Sequence, residues 1–296
     1  RGSLPRRPHL AGPDGDPVSP TPVTFTSPTA PIAYEWEATD EQVAARYGVP
    51  LDRVARFDLN TSPAPPDLAL RLLAGNRFDR PISEYPPSDY RRLIEAAAAR
   101  YGVGTDEVMV GAGADEILDL IAKAFLPPGG AAVIPTPSYA MYRVDTEQRG
   151  ATVRAVPRQG RDAGYALDAA AVRAAARGAQ VVWLCSPNNP TALPEPDGAI
   201  AALASGLLAD AGANGSEPPI LVLDEAYAEF VGRSLVGLRE TYPRLVVIRT
   251  ASNAYALAGL RVGFAIARPA LINRLAPYRP PGSVSGLYYS LCFQIL

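Results

Sequence analysis

Several polar residues of this sequence directly follow apolar runs of strand length, where a ligand could reach them. Asp224 ends one such run, and a carboxylate in so apolar a setting is costly unless it is paired. Ser252 and Arg261 lie on a loop between the apolar runs 245–248 and 262–266. A hydroxyl and a guanidinium are both phosphate-binding groups. The residue types therefore favour a phosphate-binding loop at 249–261 and, separately, a buried acid that needs a partner.

A glycine turn precedes a helical pattern at residues 111–116, Gly-Ala-Gly-Ala-Asp-Glu. Two glycines let the backbone turn tightly, and the N–H groups of the first helical turn can then bind phosphate. A dinucleotide-binding fingerprint is disfavoured because Glu116 replaces its third glycine and no acid ends a strand about 20 residues later. A plain strand-to-helix turn would have the same pattern, so this motif alone leaves both open.

Other motifs with polar or aromatic residues also follow apolar runs or turns. Tyr139 follows two prolines, and Ser-Pro-Asn-Asn-Pro-Thr occupies residues 186–191. Taken alone, the tyrosine indicates a packing aromatic and the asparagines indicate a turn. Taken alone, Tyr85 is also interpreted as a packing aromatic, and it precedes a helix for which Ser88 is the expected N-cap. The segment 57–63 taken alone is an ordinary strand-to-turn segment.

The elements that must position these residues alternate between strands and helices. A capping box, Thr-Asp-Glu-Gln at 39–42, predicts a short helix to residue 47. The predicted strands are 108–110, 132–134, 153–156, 181–185, 220–223, 245–248 and 262–265, and the predicted helices between them are 115–125, 139–148, 168–177 and 198–209. Such alternation predicts an α/β fold with a mostly parallel central sheet and helices on both faces. Ligands bind such sheets where strands end and helices begin.

Composition excludes several classes of function. The net charge of −2, with both signs interspersed, argues against a nucleic-acid partner. No apolar run of about 18 residues predicts a membrane span, and no signal peptide is evident. The only histidine is His9, which disfavours histidine or metal chemistry, and Lys123 is the only lysine. Two cysteines without a disulfide or metal pattern favour a reducing, cytoplasmic location.

The segment 249–261 resembles the lysine loop of class I/II aminotransferases that use pyridoxal 5′-phosphate, most closely histidinol-phosphate aminotransferases. That family has Ser-Lys-x-x-x-Leu-Ala-Gly-Leu-Arg here, and this chain has Asn253 at the position of the Schiff-base lysine. Residues 186–191 match six of the seven positions of the family's Ser-Pro-Asn-Asn-Pro-Thr-Gly motif, and Ala192 replaces the glycine. The resemblance extends from about residue 58 to residue 286.

The resemblance implies a role for each matching position. The cofactor phosphate would be bound by the Ala114 and Asp115 amides, Ser252 and Arg261. Tyr139 would stack on the cofactor ring, and Asp224 would pair with the ring nitrogen. The phenolic oxygen would be bound by Asn189 and Tyr227, and Asn60 would lie near the substrate. Tyr85 would reach the phosphate of a neighbouring subunit, which implies a homodimer. Asn253 would occupy the catalytic position beside Asp224 and Tyr227.

The resemblance also implies a domain organisation, the fold type I architecture of pyridoxal-phosphate-dependent transferases. We expect an N-terminal arm or small-domain segment at 32–57 and a large cofactor-binding domain at 58–270, and the composition of residues 1–31 predicts a Pro-rich flexible leader before them. Residues 271–296 would begin a small C-terminal domain that is largely missing. The apolar final residues leave open a fragment that does not fold stably.

The implied activity is transfer of an amino group from histidinol phosphate to 2-oxoglutarate, giving imidazole-acetol phosphate and glutamate. Related substrates, amino acids or amino-alcohol phosphates, remain open because the family includes aromatic aminotransferases and threonine-phosphate decarboxylases. A carboxamide is neither a good nucleophile nor a base near neutral pH, so Asn253 predicts impaired turnover with cofactor binding retained. The alternative is a noncatalytic, metabolite-binding pseudoenzyme. Lys123, two turns into a helix, is expected to point to solvent and not to substitute.

Overall fold

The computed structural model describes residues 32–35, 37–75, 81 and 83–295. The predicted leader at 1–31, with His9, lies outside the described residues. The strands are β1 Val108–Gly111, β2 Ala131–Thr136, β3 Thr152–Pro157, β4 Val181–Cys185, β5 Ile220–Asp224, β6 Leu245–Thr250 and β7 Gly263–Ala267. The helices are α1 Asp40–Tyr47, α2 Asp67–Ala74, α3 Arg91–Tyr101, α4 Gly113–Phe125, α5 Met141–Gln148, α6 Ala169–Ala175, α7 Ala199–Ala213, α8 Ala228–Val231, α9 Pro269–Leu275 and α10 Gly286–Ile295.

The strands form one seven-stranded sheet in the order β1-β7-β6-β5-β4-β2-β3. Strands β3, β2, β4, β5 and β6 pair in parallel, whereas β7 pairs antiparallel with both β6 and β1. The predicted α/β fold with a mostly parallel sheet is confirmed. Because β7 alone among the described strands runs backwards, its first residue lies at the edge where the parallel strands end.

Side chains alternate between two buried clusters along each central strand. In β5, Leu221 and Leu223 belong to one cluster, whereas Ile220 and Val222 belong to the other. Helices α3, α6, α7 and α10 contribute to the first cluster and α4, α5 and α9 to the second. This alternation is the period-two pattern of a strand buried on both faces, and it confirms that helices cover both faces of the sheet.

Local sequence signals placed the start of α1 correctly but not that of α3, and the predicted end of α7, residue 209, lies four residues before the observed end at Ala213. Thr39 caps α1 in the predicted capping box, and Gly48 ends that helix in a left-handed conformation. The predicted Ser88 cap of α3 is wrong, because Tyr90 directly precedes the helix and the Asp89 carboxylate accepts the Arg91 N–H at 3.2 Å. The segment 57–63 forms no strand.

The C-terminal helices pack on the rest of the described chain. Helix α10 lies against α3 and α2, and the Tyr289 ring contacts the Tyr90 ring at a centroid distance of 6.1 Å. The domain boundary expected near residue 270 stays a prediction. Within the described part of the chain, no helix is long and apolar enough to cross a membrane.

Candidate active site

A cavity of about 500 Å³ opens at the edge where the parallel strands end. Ten of the eleven predicted site residues line it: Asn60, Ala114, Asp115, Tyr139, Asn189, Asp224, Tyr227, Ser252, Asn253 and Arg261. Tyr85 is outside the cavity and 88% exposed. Residues more than 190 positions apart in the sequence therefore share one site of ligand size.

Two glycines shape one end of the cavity. Gly113 begins α4 with φ +84°, and a Cβ there would lie 2.6 Å from Nη2 of Arg261. A Cβ on Gly263 would lie 2.6 Å from the Gly113 carbonyl oxygen. The missing side chains thus let the start of β7, the start of α4 and the Arg261 guanidinium come into contact.

The polar groups at this end suit an oxyanion. No side chain caps α4, so its first N–H groups remain available to a ligand. Arg261 Nη2 lies 3.0 Å from Asp115 Oδ2 in a half-exposed ion pair, and Ser252 Oγ accepts a hydrogen bond from Thr250 Oγ1 at 2.9 Å. A guanidinium, a hydroxyl and a helix N-terminus together fit a phosphate group.

Asp224 is buried at the end of β5, with 4% of its surface exposed. Its Oδ2 accepts a hydrogen bond from Tyr142 Oη at 2.7 Å, and its Oδ1 accepts from the Ala226 N–H at 3.0 Å. Burial raises the pKa of Asp224 to about 6, and the two hydrogen bonds oppose that rise. The carboxylate is therefore ionised at neutral pH and suited to pair with a cationic nitrogen of a ligand.

Tyr142 was missed at the sequence level. Its ring stacks on Trp183 with centroids 5.5 Å apart and meets the Tyr139 ring edge-on at 5.7 Å. Burial and the neighbouring Asp224 raise the pKa of Tyr142 well above its usual value, so its phenol stays a donor. A buried tyrosine in a helix has no local signal for this role, because its partner lies 82 positions away.

A tyrosine and two amides form the opposite side of the cavity. The Tyr227 hydroxyl accepts hydrogen bonds from Asn60 Nδ2 at 3.3 Å and from Asn189 Nδ2 at 3.4 Å. Burial raises the pKa of Tyr227 to about 12, so the phenol is neutral and can donate to a ligand oxygen. Tyr139 donates to Asp115 Oδ1 at 3.0 Å and also lines the cavity.

Asn253 is 9% exposed and donates from Nδ2 to the Asn60 carbonyl at 3.0 Å. Lys123, the only lysine, pairs with Asp119 on the outer side of α4 and does not line the cavity. Its expected surface position is confirmed. None of the lining residues in the described chain therefore brings an amine into the cavity.

The Asn189 turn is supported by Arg158 and Glu195, which the sequence motifs did not identify. Asn188 is buried, and its Oδ1 accepts a hydrogen bond from Arg158 Nη2 at 3.3 Å. Arg158 forms an ion pair with Glu195, both side chains being 2% exposed. Ala192, in the motif's glycine position, has φ +59°.

Two cavity residues from the N-terminal segment were also missed. Tyr34 donates to Glu37 Oε1 at 2.5 Å, and this hydrogen bond is the largest cause that raises the pKa of Tyr34 to about 12. The tyrosine ring lies 6.4 Å from the Tyr139 ring. Within the described ranges, no cluster of three or more His, Cys, Asp or Glu side chains could hold a metal ion.

Comparison with known families identifies the family of the chain. Residues 65–296 match the family model of class I and II aminotransferases. The chain belongs to this aminotransferase family. Histidinol-phosphate aminotransferase from Roseiflexus castenholzii is 39% identical over 250 residues, which are 83% of this chain and 64% of that protein. The chain thus spans less than two thirds of the length of this relative.

Solved aminotransferase structures share the fold. Histidinol-phosphate aminotransferase from Sinorhizobium meliloti, in complex with pyridoxal-5′-phosphate, aligns with a TM-score of 0.73 at 23% identity, covering 87% of this chain and 68% of that chain. L-threonine-O-3-phosphate decarboxylase from Porphyromonas gingivalis aligns with a TM-score of 0.65 at 25% identity, covering 80% and 70%. The fold is therefore shared by proteins of different reaction type.

Proposed function

We propose that this member of the aminotransferase family binds pyridoxal 5′-phosphate in the cavity and derives from histidinol-phosphate transaminases. The observation that carries the proposal is the convergence of ten residues from six separate segments on one cavity. In this assignment Arg261, Ser252 and the first amides of α4 hold the phosphate. Asp224 pairs with the ring nitrogen, Tyr139 stacks on the ring, and Asn189 and Tyr227 hold the phenolic oxygen.

The remaining residues define what the chain can do with that cofactor. When bound, pyridoxal phosphate supplies a conjugated ring that withdraws electrons from the carbon next to a substrate amine. Asp224, ionised above about pH 6, would keep the ring nitrogen protonated. The Asn253 carboxamide offers no amine and no base, so we expect cofactor binding with negligible turnover of histidinol phosphate.

The partners are proposed on the same basis. The relative's name favours a small amino-alcohol phosphate as substrate, and the decarboxylase likeness keeps threonine phosphate as the second candidate. A homodimer is proposed because Tyr85 is 88% exposed and contributes nothing to its own chain's cavity. The free buried thiols of Cys185 and Cys292 fit a cytoplasmic protein.

A covalent-labelling experiment tests the proposal. The chain and its Asn253→Lys variant are incubated with pyridoxal phosphate, reduced with borohydride, digested and analysed by mass spectrometry. We expect a cofactor adduct at position 253 in the variant and none at Lys123 in the unaltered chain. Asn253→Gln, which restores no amine, is the control. No adduct at position 253 of the folded variant contradicts the proposed site.

Activity separates the two candidate functions. Asn253→Lys is assayed with histidinol phosphate and 2-oxoglutarate beside the unaltered chain. Turnover only in the variant supports descent from a transaminase with an impaired site. Retained cofactor binding without turnover in either protein favours the noncatalytic pseudoenzyme, for which the carboxamide at Asn253 is the specific observation.

A further inference from the structure

The Asn253 carboxamide joins the cavity to the segment that covers it. Its Nδ2 donates to the Asn60 carbonyl at 3.0 Å, and its backbone carbonyl accepts the Ser62 N–H at 2.9 Å. Ser62 Oγ donates to the Ala254 carbonyl at 3.0 Å. Three hydrogen bonds therefore hold residues 60–62 against residues 253–254.

These contacts determine how the carboxamide is oriented. A carbonyl oxygen only accepts hydrogen bonds, so the nitrogen end of Asn253 must face Asn60. Asn60 is itself held in place, since its backbone has φ +54° and its Nδ2 donates to Tyr227. The remaining polar atom of the side chain is Oδ1, which forms no hydrogen bond with any residue that the structure describes. This side chain is nine-tenths buried and lines the cavity.

The charged side chains around the cavity also favour a ligand with a cationic group. Of the four carboxylates that line it, Asp58 is paired with Arg56, and Asp115 is paired with Arg261, the one basic side chain among its described lining residues. The other two, Glu37 and Asp224, accept hydrogen bonds from tyrosines. A bound phosphate would take up the positive charge of Arg261. A ligand that also carries a cationic donor would meet complementary charge and a free acceptor, Oδ1 of Asn253.

From this arrangement we propose that Asn253 makes the site selective for the amine form of the cofactor, pyridoxamine 5′-phosphate, over the aldehyde form. The ammonium group of the amine form donates a hydrogen bond to Oδ1, whereas the aldehyde offers only an oxygen acceptor. The inference rests on the proposed function, because it assumes that the cavity takes a vitamin B6 phosphate. No bond is made or broken in this recognition.

Titration of the full chain with each cofactor form tests the inference. We expect pyridoxamine phosphate to bind about tenfold more tightly than pyridoxal phosphate, since one hydrogen bond to a charged group separates them. Binding of neither form would overturn the proposed function and this inference with it. Binding of both forms with equal affinity would overturn the inference and leave the proposed function standing.

Variants assign the preference to the carboxamide. Asn253→Leu keeps the branched shape and the number of heavy atoms but lacks the acceptor, and Asn253→Ala only removes atoms. Each is expected to bind the two forms with affinities within about twofold of each other, a ratio well below the one that a hydrogen bond to a charged group produces. Ser62→Ala, the matched control, removes a hydrogen bond between the same two segments and should keep the tenfold preference. A preference that survives in folded Asn253→Ala contradicts the assignment.

Discussion

The two ends of the cavity are built from different chemistry. The anchoring end consists of Gly113, Asp115, Ser252, Arg261 and Gly263, and the amide end of Asn60, Asn189, Tyr227 and Asn253. Close backbone contact and an ion pair form the anchoring end. Neutral side chains with hydrogen bonds of 3.0 to 3.4 Å form the amide end.

This difference explains how a binding site can persist without its reactive group. At the anchoring end, position 263 has no space for a side chain, because a Cβ on Gly263 would overlap the backbone of Gly113. At the amide end, a neutral hydrogen bond contributes only about 1 kcal/mol, so one polar side chain can replace another at small cost to the fold. Position 253 can therefore hold an asparagine while the residues proposed to contact the phosphate and the ring keep their positions.

The largest expected effect lies at the anchoring end. Gly263→Ala should lower the free energy of unfolding by about 3 kcal/mol, because the new Cβ forces β7 and the start of α4 apart. Denaturant unfolding measures this change. Gly160→Ala is the control, since nothing lies within 4 Å of a Cβ at that position. Equal stability of the two variants would contradict the close packing that distinguishes the anchoring end from the amide end.

Arg261→Gln should weaken pyridoxamine phosphate binding about tenfold to a hundredfold, because a charged hydrogen bond to the phosphate is lost. Its side chain is 46% exposed, so the free energy of unfolding should change little. Isothermal titration measures the affinity. Arg268→Gln provides the control, as that arginine is similarly exposed and pairs with Glu240 away from the cavity. Equal affinities of the two variants would argue against a phosphate at the anchoring end.

Binding should depend on pH through Asp224. Its pKa is raised from 3.8 to about 6, so the carboxylate loses its charge as the pH falls through 6, and cofactor affinity should drop about tenfold between pH 7 and pH 5. The same pKa shift makes the free energy of unfolding of the ligand-free protein change with pH in the opposite direction. The raised pKa means that stability from this group falls as the pH rises from about 4 to 6.

The control for this pH prediction is a second buried acid, Asp145. Burial raises the pKa of Asp145 to about 8, and its Oδ2 has no hydrogen-bond partner. It does not line the cavity, so Asp145→Asn should leave the pH dependence of binding unchanged while flattening that of stability. A pH-independent affinity in the Asp145→Asn background would contradict the role of Asp224.

The smallest expected effect concerns the turn that carries Asn189. Ala192 closes it with φ +59°, a conformation that glycine adopts at lower cost. Ala192→Gly should therefore raise the free energy of unfolding by about 0.5–1 kcal/mol. Ala202→Gly, on the exposed side of α7, should lower it by about 1 kcal/mol instead. Thermal unfolding measures both, and a loss of stability in Ala192→Gly would show that the turn is not strained.

Much of the fold and site could be predicted because the signals are local. The apolar run 181–185 coincides with β4, and the capping box at Thr39 forms as expected. Ser88 failed as a cap because the neighbouring Asp89 carboxylate accepts the Arg91 N–H, a choice between adjacent polar residues that the pattern does not resolve. The apolar run that forms β7 also contains no signal that this strand is antiparallel to β1 and β6.

The sequence by itself determined the seven strands, the glycines of the α4 turn and the absence of an amine at Asn253, because these follow from residue type and short-range periodicity. Only the tertiary structure decided which groups meet. It pairs Tyr142 with Asp224 and Arg158 with Glu195, and it turns the Asn253 amide towards Asn60. Such contacts join residues 37 to 193 positions apart, and they form only when the sheet brings strand ends to one edge.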